Sequence, residues 1–349
     1  MNVKDYAAEA VALLRRLIAT PSVSRHEDAA ADVLCQAMDE YGLPWQREGS
    51  NVWTVSSDFR TDCPTLLFNA HIDTVKPVAT WTRDPFVPTQ DGDRLYGLGA
   101  NDCGGGLVAL LQAFRILRSQ LSALNLVFLA SAEEEVSGKD GIERALPLLP
   151  KIDVAIVGEP TGMQPAIAEK GLMVIDGYSH GVSGHAARNE GVNAIYEALD
   201  DLLWLRDYRF EKVSRLLGPT KMQVTVVESG TQHNVVPDQL HFILDVRTNE
   251  LYRNEDVFDF LQQHTKSELK ARSFRLHSSS IAEDHWLVRR CLDVGMQPFG
   301  SPTLSDQALM SFPSLKLGPG QSSRSHSADE FICFSEIEQA IDTYCRLLI

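Results

Sequence analysis

The feature that most constrains this fold is a repeated alternation of short apolar segments with longer amphipathic ones. Short apolar runs bounded by polar residues are typical of buried strands, and the longer segments have helical spacing. Proteins built in this way form α/β sheets, whose ligands bind outside the carboxyl ends of the strands. The three clearest strand ends are Thr65 to Ala70 before His71 and Asp73, Leu124 to Ala130 before Glu133 to Glu135, and Val154 to Val157 before Glu159.

Apolar spacing and capping residues predict the other elements of the first part of the chain. Ser24 is followed by an acidic turn, Glu27 and Asp28, and we expect it to begin the second helix. The predicted elements are helices Val3 to Ile18, Ser24 to Tyr41 and Gly104 to Leu117, and a strand from Val52 to Ser56.

A different order of elements begins near Gln164 and ends near Ser278. It predicts β-α-β-β-α-β, the ferredoxin-like arrangement of a small separate domain. We therefore predict a large domain, residues 1–163 and 278–349, with a smaller domain, residues 164–277, inserted into it. The expected elements of the smaller domain are strands Ala166 to Ser179, Met222 to Val227, Gln239 to Val246 and Phe274 to Leu276, and helices Gly191 to Leu205 and Glu255 to His264. The elements predicted after the smaller domain are helices His285 to Val294 and Ser335 to Leu348 and strand Ser314 to Leu317.

The composition of the 349 residues excludes several classes of function. Hydrophobic residues make up 44% and charged residues 23%, as in a soluble globular protein. No apolar run is long enough to cross a bilayer, and the first residues lack the pattern of a secretory signal. The formal charge of −15 argues against nucleic acid as a partner, because phosphate binding needs a positive surface. Six cysteines without C-x-x-C spacing indicate a reducing cytoplasm rather than a zinc knuckle or a disulfide scaffold.

The polar residues at the strand ends have simple structural interpretations when they are considered one at a time. His71 can be hydrogen-bonded to Asp73, because alternation along an extended chain puts both on the same side. Asp102 can cap the glycine-rich start of a helix, and three consecutive glutamates can form a solvated turn. Glu159 and His326 can be solvated loop residues.

Taken together, the same residues favour a metal site. Buried carboxylates without a cation repel one another and are costly to desolvate. Zinc binds imidazole nitrogen and carboxylate oxygen, and two zinc ions about 3.5–4 Å apart can share a bridging carboxylate. Such a pair needs a histidine and a carboxylate for each ion, the bridge, and a further carboxylate as base. The chain contains this set in His71, Asp102, Glu133 to Glu135, Glu159 and His326.

Six motifs cover almost the whole chain: HIDTV at 71–75, GAND at 99–102, EEE at 133–135, GEP at 158–160, GVSGHA at 181–186 and SHS at 325–327. In these motifs and their order the chain resembles the acetylornithine deacetylase / succinyl-diaminopimelate desuccinylase family of zinc amidohydrolases. The resemblance implies a zinc-exopeptidase-like catalytic domain with a mixed sheet flanked by helices. It also implies an inserted α+β domain that serves as a lid or for dimerisation.

The resemblance implies the metal ligands one by one. His71 and Glu159 would bind one zinc ion, and Glu135 and His326 would bind the other. Asp102 would bridge the two ions.

The resemblance also implies that Glu134 is the general base and that Asp73 is the carboxylate behind His71. Glu133 is aligned with the acidic residue that often precedes the family's pair of glutamates. A shift of that alignment by one position would exchange the roles of the glutamates.

Further residues are implied to contact the substrate. His185 matches a histidine that reaches the partner subunit's active site and stabilises the oxyanion, which implies a homodimer through the inserted domain. Asn234 and Arg247 match positions that bind the substrate's carboxylate, for which the planar fork of arginine is suited. Gly320 matches a backbone loop near the substrate. From the residues alone, a loop histidine and a solvated strand-end arginine explain His185 and Arg247 as well.

The sequence departs from the family pattern after Asp102, where Gly104 occupies a position that is often lysine. This lysine is not a metal ligand, so the departure affects the charge of the loop. We expect Cys103 to be packed rather than reactive.

The activity that the resemblance implies is hydrolysis of the amide of a small N-acyl amino acid, with zinc, or cobalt, as the metal. N-acetylornithine deacetylation in arginine biosynthesis is the first choice. N-succinylornithine, N-acetylcitrulline, succinyl-diaminopimelate and dipeptides are the alternative substrates. A non-catalytic metal-binding scaffold is the alternative of a different class, and metal content together with an amidase assay would separate the two.

Overall fold

The computed structural model describes residues 2–121 and 123–349. The chain divides into a large unit, Met1–Ile167, Ile281–Phe299 and Ser305–Ile349, and a small unit, Ala168–Ser280 and Gly300–Leu304. The α-helices within the described residues are α1 (Val3–Ile18), α2 (Asp28–Glu40), α3 (Gly105–Leu117), α4 (Ile142–Ala145), α5 (Ala194–Asp207), α6 (Asn254–His264), α7 (Trp286–Asp293) and α8 (Phe334–Leu348). Among these residues, no helix combines the length and the apolar character that a bilayer crossing requires.

The strands are numbered in chain order over the same residues. They are β1 (Gln46–Glu48), β2 (Asn51–Val55), β3 (Thr65–His71), β4 (Thr89–Asp91), β5 (Arg94–Tyr96), β6 (Asn125–Ser131), β7 (Val154–Val157), β8 (Ala166–Glu169), β9 (Met173–His180), β10 (Gly184–His185), β11 (Val213–Ser214), β12 (Gly218–Pro219), β13 (Lys221–Ser229), β14 (Val235–Val236), β15 (Gln239–Arg247), β16 (Glu268–Ala271), β17 (Ser279–Ser280), β18 (Phe299–Ser301), β19 (Ser314–Lys316) and β20 (Phe331–Cys333).

A mixed sheet with the strand order β1-β2-β6-β3-β7-β19 forms the centre of the large unit. β6, β3, β7 and β19 are parallel, whereas β1 and β2 add antiparallel strands at one edge. Every residue of β3, β6 and β7 is buried, as expected for parallel strands that are covered on both faces. Because these strands point the same way, the residues that follow them meet at one edge of the sheet.

Helix α3 packs on β3 and β6, and α1 and α8 pack against α3. Residues on every side of α3 are buried, which is typical of a helix inside a domain. Its first turn approaches the sheet closely at Gly106, where a β-carbon would lie 1.7 Å from the carbonyl oxygen of Gly158. Glycine at this position therefore allows the start of α3 to lie beside the strand end that carries Glu159.

The small unit contains an antiparallel sheet with the order β13-β15-β9-β16. Together with α5 and α6 it has the predicted β-α-β-β-α-β order of a ferredoxin-like unit. Apolar residues of α5 and α6 pack on one face of this sheet, around Phe242 and Leu244. The predicted fold class, a mixed sheet flanked by helices together with a ferredoxin-like α+β unit, is confirmed.

Helix α2 begins later than the sequence predicts. It starts at Asp28 instead of next to Ser24, because the hydroxyl of Ser24 donates to Asp73 Oδ2 (2.7 Å) and does not cap the helix. The predicted cap is wrong, and Ser24 contacts the loop after β3.

Two strand predictions in the small unit are also wrong. The strand predicted from Ala166 to Ser179 is two strands, β8 and β9, because the amide of Gly171 between them donates to the carbonyl of Thr248. The strand that closes the sheet is β16 rather than 274–276, where the carbonyls of Phe274 and Leu276 accept from the side chain of Asn254.

Candidate metal centre

The carboxyl ends of β3, β6 and β7 bring the predicted metal ligands together in the large unit. His71 is the last residue of β3, Glu134 and Glu135 form a short 3-10 turn after β6, and Glu159 follows β7. Two loops supply the rest, Asp102 from the turn before α3 and His326 from the loop before β20.

Asp102 lies between the two histidines. Its Oδ1 is 3.2 Å from His71 Nε2, and its Oδ2 is 3.7 Å from His326 Nε2. Glu159 Oε1 is 3.7 Å from the same nitrogen of His71, and Glu135 Oε2 is 2.9 Å from His326 Nε2. The geometry thus gives two sets, each with one histidine and one carboxylate, and an aspartate common to both.

Glu134 lies beside this cluster, slightly farther from His71 than Glu159 is. Its Oε2 is 4.0 Å from His71 Nε2, and its side chain is mostly buried. Burial raises the pKa of Glu134 well above its usual value, and the charges of Glu159 and Asp306 raise it further, whereas the charge of His71 lowers it. A carboxyl with a raised pKa beside a metal site is suited to accept and return protons.

Asp73 binds the backbone of the acidic turn. Its carboxylate accepts from the amides of Glu134 (3.0 Å) and Glu135 (3.2 Å) as well as from the hydroxyl of Ser24. The nearest contact of His71 Nδ1 is the main-chain carbonyl of Asp73 (2.9 Å), with the carboxylate at 3.4 Å. Asp73 therefore orients both His71 and the turn that carries the two glutamates.

Electrostatics favour cations at this site. Burial and the charge of Asp102 raise the pKa of Glu159 to about 8. Burial also acts to raise the pKa of Asp102, but the hydrogen bond and charge of His71 outweigh it and the pKa falls. Among the described residues, the buried Oε1 of Glu159 has no hydrogen-bond partner. Imidazole nitrogen with carboxylate oxygen is a donor set of zinc and similar divalent ions, so these residues fit a pair of such cations.

The loop that departs from the family pattern is tightly packed. A β-carbon at Gly104 would lie 2.5 Å from the carbonyl oxygen of Gly99 and 2.7 Å from Leu14 Cδ1, so a lysine does not fit without movement. The buried thiol of Cys103 accepts from the amide of His71 (3.2 Å), and burial raises its pKa. Cys103 is a packed residue in this structure.

Sequence reasoning missed two buried carboxylates near the cluster. Asp306 accepts from the hydroxyl of Ser131 (2.5 Å), and burial raises its pKa to about 6. Glu330 accepts from backbone amides of the loop that carries Asp102. The position of Glu330, four residues after His326, is a signal that could have been read, whereas nothing adjacent to Asp306 in the sequence marks it.

The predicted substrate-binding residues are divided between the units. Gly320 is in the large unit with a left-handed φ of 84°, and a β-carbon there would lie 2.2 Å from Asn101 Oδ1. In the small unit, His185 pairs with Val235, and the amide of Ala186 donates to the carbonyl of Asn234 (3.0 Å). His185 and Asn234 therefore lie side by side.

Arg247 lies at the opposite end of the small unit's sheet. It is the last residue of β15, whereas His185 and Asn234 adjoin the start of that strand through β14. The guanidinium of Arg247 binds the carboxylate of Asp245 through Nε (2.8 Å) and Nη2 (3.0 Å). The structure thus does not bring Arg247 together with His185 and Asn234 in one chain.

An α/β fold with histidines and carboxylates clustered at its strand ends is typical of metal-dependent hydrolases. Residues 67–349 match the model of Peptidase family M20/M25/M40, and the chain belongs to this family of divalent-metal-dependent hydrolases. The resemblance stated from the motifs is thereby confirmed.

Several named proteins are similar to this chain. The acetylornithine deacetylase of Proteus mirabilis is 29% identical and covers 99% of this chain and 98% of its own length. The succinyl-diaminopimelate desuccinylase of Delftia acidovorans is 28% identical over 74% of this chain and 72% of its own length. Among solved structures, aminopeptidase PepT of Bacillus cereus superposes with a TM-score of 0.79 at 16% identity, over 98% of each chain.

Proposed function

We propose that the protein removes the acyl group from a small N-acyl amino acid by metal-dependent hydrolysis of its amide, with N-acetylornithine as the first substrate to test. The observation that carries the proposal is the position of Asp102 between two histidine–carboxylate sets, with Glu134 beside them. This is the arrangement that a shared-water amide hydrolysis requires: ligands for two ions and a separate base.

Two divalent ions, zinc or cobalt, would be bound by His71 and Glu159 on one side and by Glu135 and His326 on the other, with Asp102 common to both. When bound, such ions lower the pKa of a water molecule toward about 7 and polarise the amide carbonyl.

Glu134 would act on the protons of the reaction. Its carboxylate would remove a proton from the attacking water and later deliver it to the nitrogen of the leaving amino acid, as a general base commonly does. The contacts of Asp73 with the amides of Glu134 and Glu135 would keep this turn in place during both transfers. The imidazole of His185 would donate to the oxyanion that forms on the acyl carbon.

Arg247 and Asn234 would bind the α-carboxylate of the substrate. The bidentate pair with Asp245 orients the guanidinium of Arg247 and leaves Nη1 for a substrate oxygen. The loop at Gly320 lies directly against Asn101, next to Asp102, so its backbone would border the reacting amide.

The separation of these residues supports a homodimer. β15 has nine residues, and at ~3.4 Å per residue it spans roughly 27 Å. A small N-acyl amino acid cannot reach both ends of this strand, so His185 and Asn234 would act in the site of one copy and Arg247 in the site of the other.

The small unit offers a surface for the second copy. β13 is an edge strand whose outer side is unpaired within the described residues, and such edges readily pair with another chain. Helix α5 exposes Tyr196 (70%), Leu199 (44%) and Leu203 (47%) along one stripe. Apolar side chains at this spacing beside an open strand edge favour association through the small unit.

A panel of substrates tests the proposal. The metal-free protein is reconstituted with zinc or cobalt and assayed with N-acetylornithine, N-acetylcitrulline, N-succinylornithine, succinyl-diaminopimelate and a dipeptide. We expect N-acetylornithine to be hydrolysed fastest, which would be consistent with a place in arginine biosynthesis, and we expect a chelator to abolish turnover. A protein that binds two ions but hydrolyses no member of the panel would instead be a metal-binding scaffold.

The six free thiols among the described residues suit a reducing cytoplasm, where we expect the enzyme to act.

A further inference from the structure

Glu330 is a buried carboxylate that the proposed chemistry does not use. Its exposed fraction is 2%, and it lies between the loop of His326 and strand β20. A buried carboxylate is costly unless its oxygens are hydrogen-bonded, so its partners indicate its role.

The Glu330 carboxylate accepts from three backbone amides, all of one short segment. Oε1 accepts from Asn101 (2.7 Å) and Asp102 (2.9 Å), and Oε2 accepts from Gly99 (3.1 Å). The carbonyl oxygen of Glu330 also accepts from the amide of Gly97 (3.0 Å). The segment from 97 to 102 is therefore bound at four points by one residue.

The amides of Gly99, Asn101 and Asp102 donate to Glu330, whereas within the segment the amide of Ala100 donates to the carbonyl of Gly97 (3.1 Å). Gly99 has a left-handed φ of 73°, and Asp102, at φ −118° and ψ 100°, is not helical. Amides in such a turn need partners from elsewhere when they are buried. Because the amide of Asp102 itself donates to Glu330, the direction of the Asp102 side chain depends on that bond.

A second contact joins the same two loops. The side chain of Asn101 donates to the carbonyl of Gln321 (3.0 Å) and to the hydroxyl of Ser325 (3.2 Å), and it accepts from the amide of Gln321 (3.0 Å). Ser325 immediately precedes His326. Glu330 and Asn101 thus connect the loop of Asp102 with the loop of His326 from both sides.

We propose that Glu330 is a positioning residue that sets the distance between Asp102 and His326, an inference that rests on the proposed function. Of the set Asp102, Glu135 and His326, two members lie on the loops that Glu330 joins. Of the set His71, Asp102 and Glu159, only Asp102 does. Loss of Glu330 should therefore lower the affinity for the ion at His326 more than the affinity for the ion at His71.

Two variants and a matched control test this inference. Glu330→Gln keeps an acceptor for Asn101 and Asp102 but turns a donor toward the amide of Gly99, and Glu330→Ala removes all three bonds. The control is Asp329→Asn, which changes the adjacent carboxylate; that group accepts from Thr82 and Arg83 and not from the Asp102 loop.

The readouts are the two zinc dissociation constants by calorimetric titration, kcat and KM separately, and the thermal midpoint of the metal-free protein. For Glu330→Gln we expect the zinc site of His326 to lose about 10–100-fold in affinity, as is common when a residue that holds a metal ligand in place is changed. Because of this lower affinity, we expect kcat at sub-saturating zinc to fall. Excess zinc should restore much of kcat, and KM should change little. Asp329→Asn should match the wild type.

Wild-type zinc affinities in a folded Glu330→Gln variant would overturn the inference, as would an equal loss at both sites. If Glu330→Ala does not fold, Glu330→Gln alone decides, and a Glu330→Gln protein that is itself unfolded when metal-free would assign Glu330 to folding instead. The zinc titration needs no substrate. A wild type that binds two ions but hydrolyses no N-acyl amino acid would refute the proposed function and leave this comparison intact.

Discussion

Replacing Glu134 by glutamine separates the role of base from the role of ligand. The change preserves size and leaves the contacts of the Glu134 and Glu135 amides with Asp73 in place. It removes only the ability to accept and return a proton. General base catalysis commonly contributes about 10²–10⁴ in rate, which is about 2.7–5.4 kcal/mol at 1.36 kcal/mol for each factor of ten.

The neighbouring glutamates supply matched comparisons for this prediction. Glu135 Oε2 is 2.9 Å from His326 Nε2, so Glu135→Gln should lower metal content. Glu133 Oε2 accepts from the amide of Asp140 (3.4 Å), outside the metal sets, so Glu133→Gln should be nearly neutral. We expect Glu134→Gln to retain two ions and to lose kcat by about 10²–10⁴.

The assay measures bound zinc by elemental analysis and hydrolysis of N-acetylornithine at saturating metal. Near-normal turnover of a metal-loaded Glu134→Gln protein would refute the assignment of the base. Loss of metal in Glu134→Gln with full metal in Glu135→Gln would show that the two roles are exchanged, which the run of three glutamates leaves open in the sequence.

Three further predictions follow from the same structure. Folding raises the pKa of Glu159 to about 8, so the folded state favours the protonated acid and stability is lost as pH rises from about 4.5 through 8. The pKa of His326 is raised to about 9, chiefly by its hydrogen bond to Glu135, so its contribution to stability is likewise lost as pH rises from about 6.5 through 9. The thermal midpoint of metal-free protein should therefore fall between pH 5 and pH 9, and bound zinc should reduce that fall; a midpoint that rises with pH would contradict this. Mixed His185→Ala and Arg247→Ala subunits should recover about a quarter of wild-type activity, since about half the dimers are mixed and each has one intact site; no gain over the separate variants would argue against sites shared between copies. Gly104→Ala should lower the free energy of unfolding by about 1–3 kcal/mol, because its β-carbon would meet the carbonyl of Gly99, and chemical denaturation measures it.

Much of the metal set was readable from the order of residues. A buried strand such as β3 is marked by a local run of apolar side chains, and the residue after it must emerge at the sheet edge. The sequence therefore identified His71 and Glu159 as residues of one edge without knowledge of strand order. The β-α-β-β-α-β pattern of the small unit was equally local, and its fold followed from it.

Two of the local errors have a common cause. Ser24 was expected to cap a helix, but its hydroxyl is bound by Asp73, which is far away in the sequence. Asn254 likewise binds the carbonyls of Phe274 and Leu276, which prevents the strand predicted there. In both cases a polar side chain hydrogen-bonds to a residue distant in the sequence, whereas propensity rules consider only neighbouring residues.

The sequence by itself determined the alternation of strands and helices and the ligand types at the strand ends, because hydrophobic periodicity and strand termination are local properties. Only the tertiary structure decided that Asp102 lies between His71 and His326, that Glu330 binds its loop, and that Arg247 is a strand's length from His185. Those facts depend on which loops meet after the chain has folded. Hydrogen bonds and burial between residues from 31 to more than 200 positions apart fix them, and no local pattern encodes such contacts.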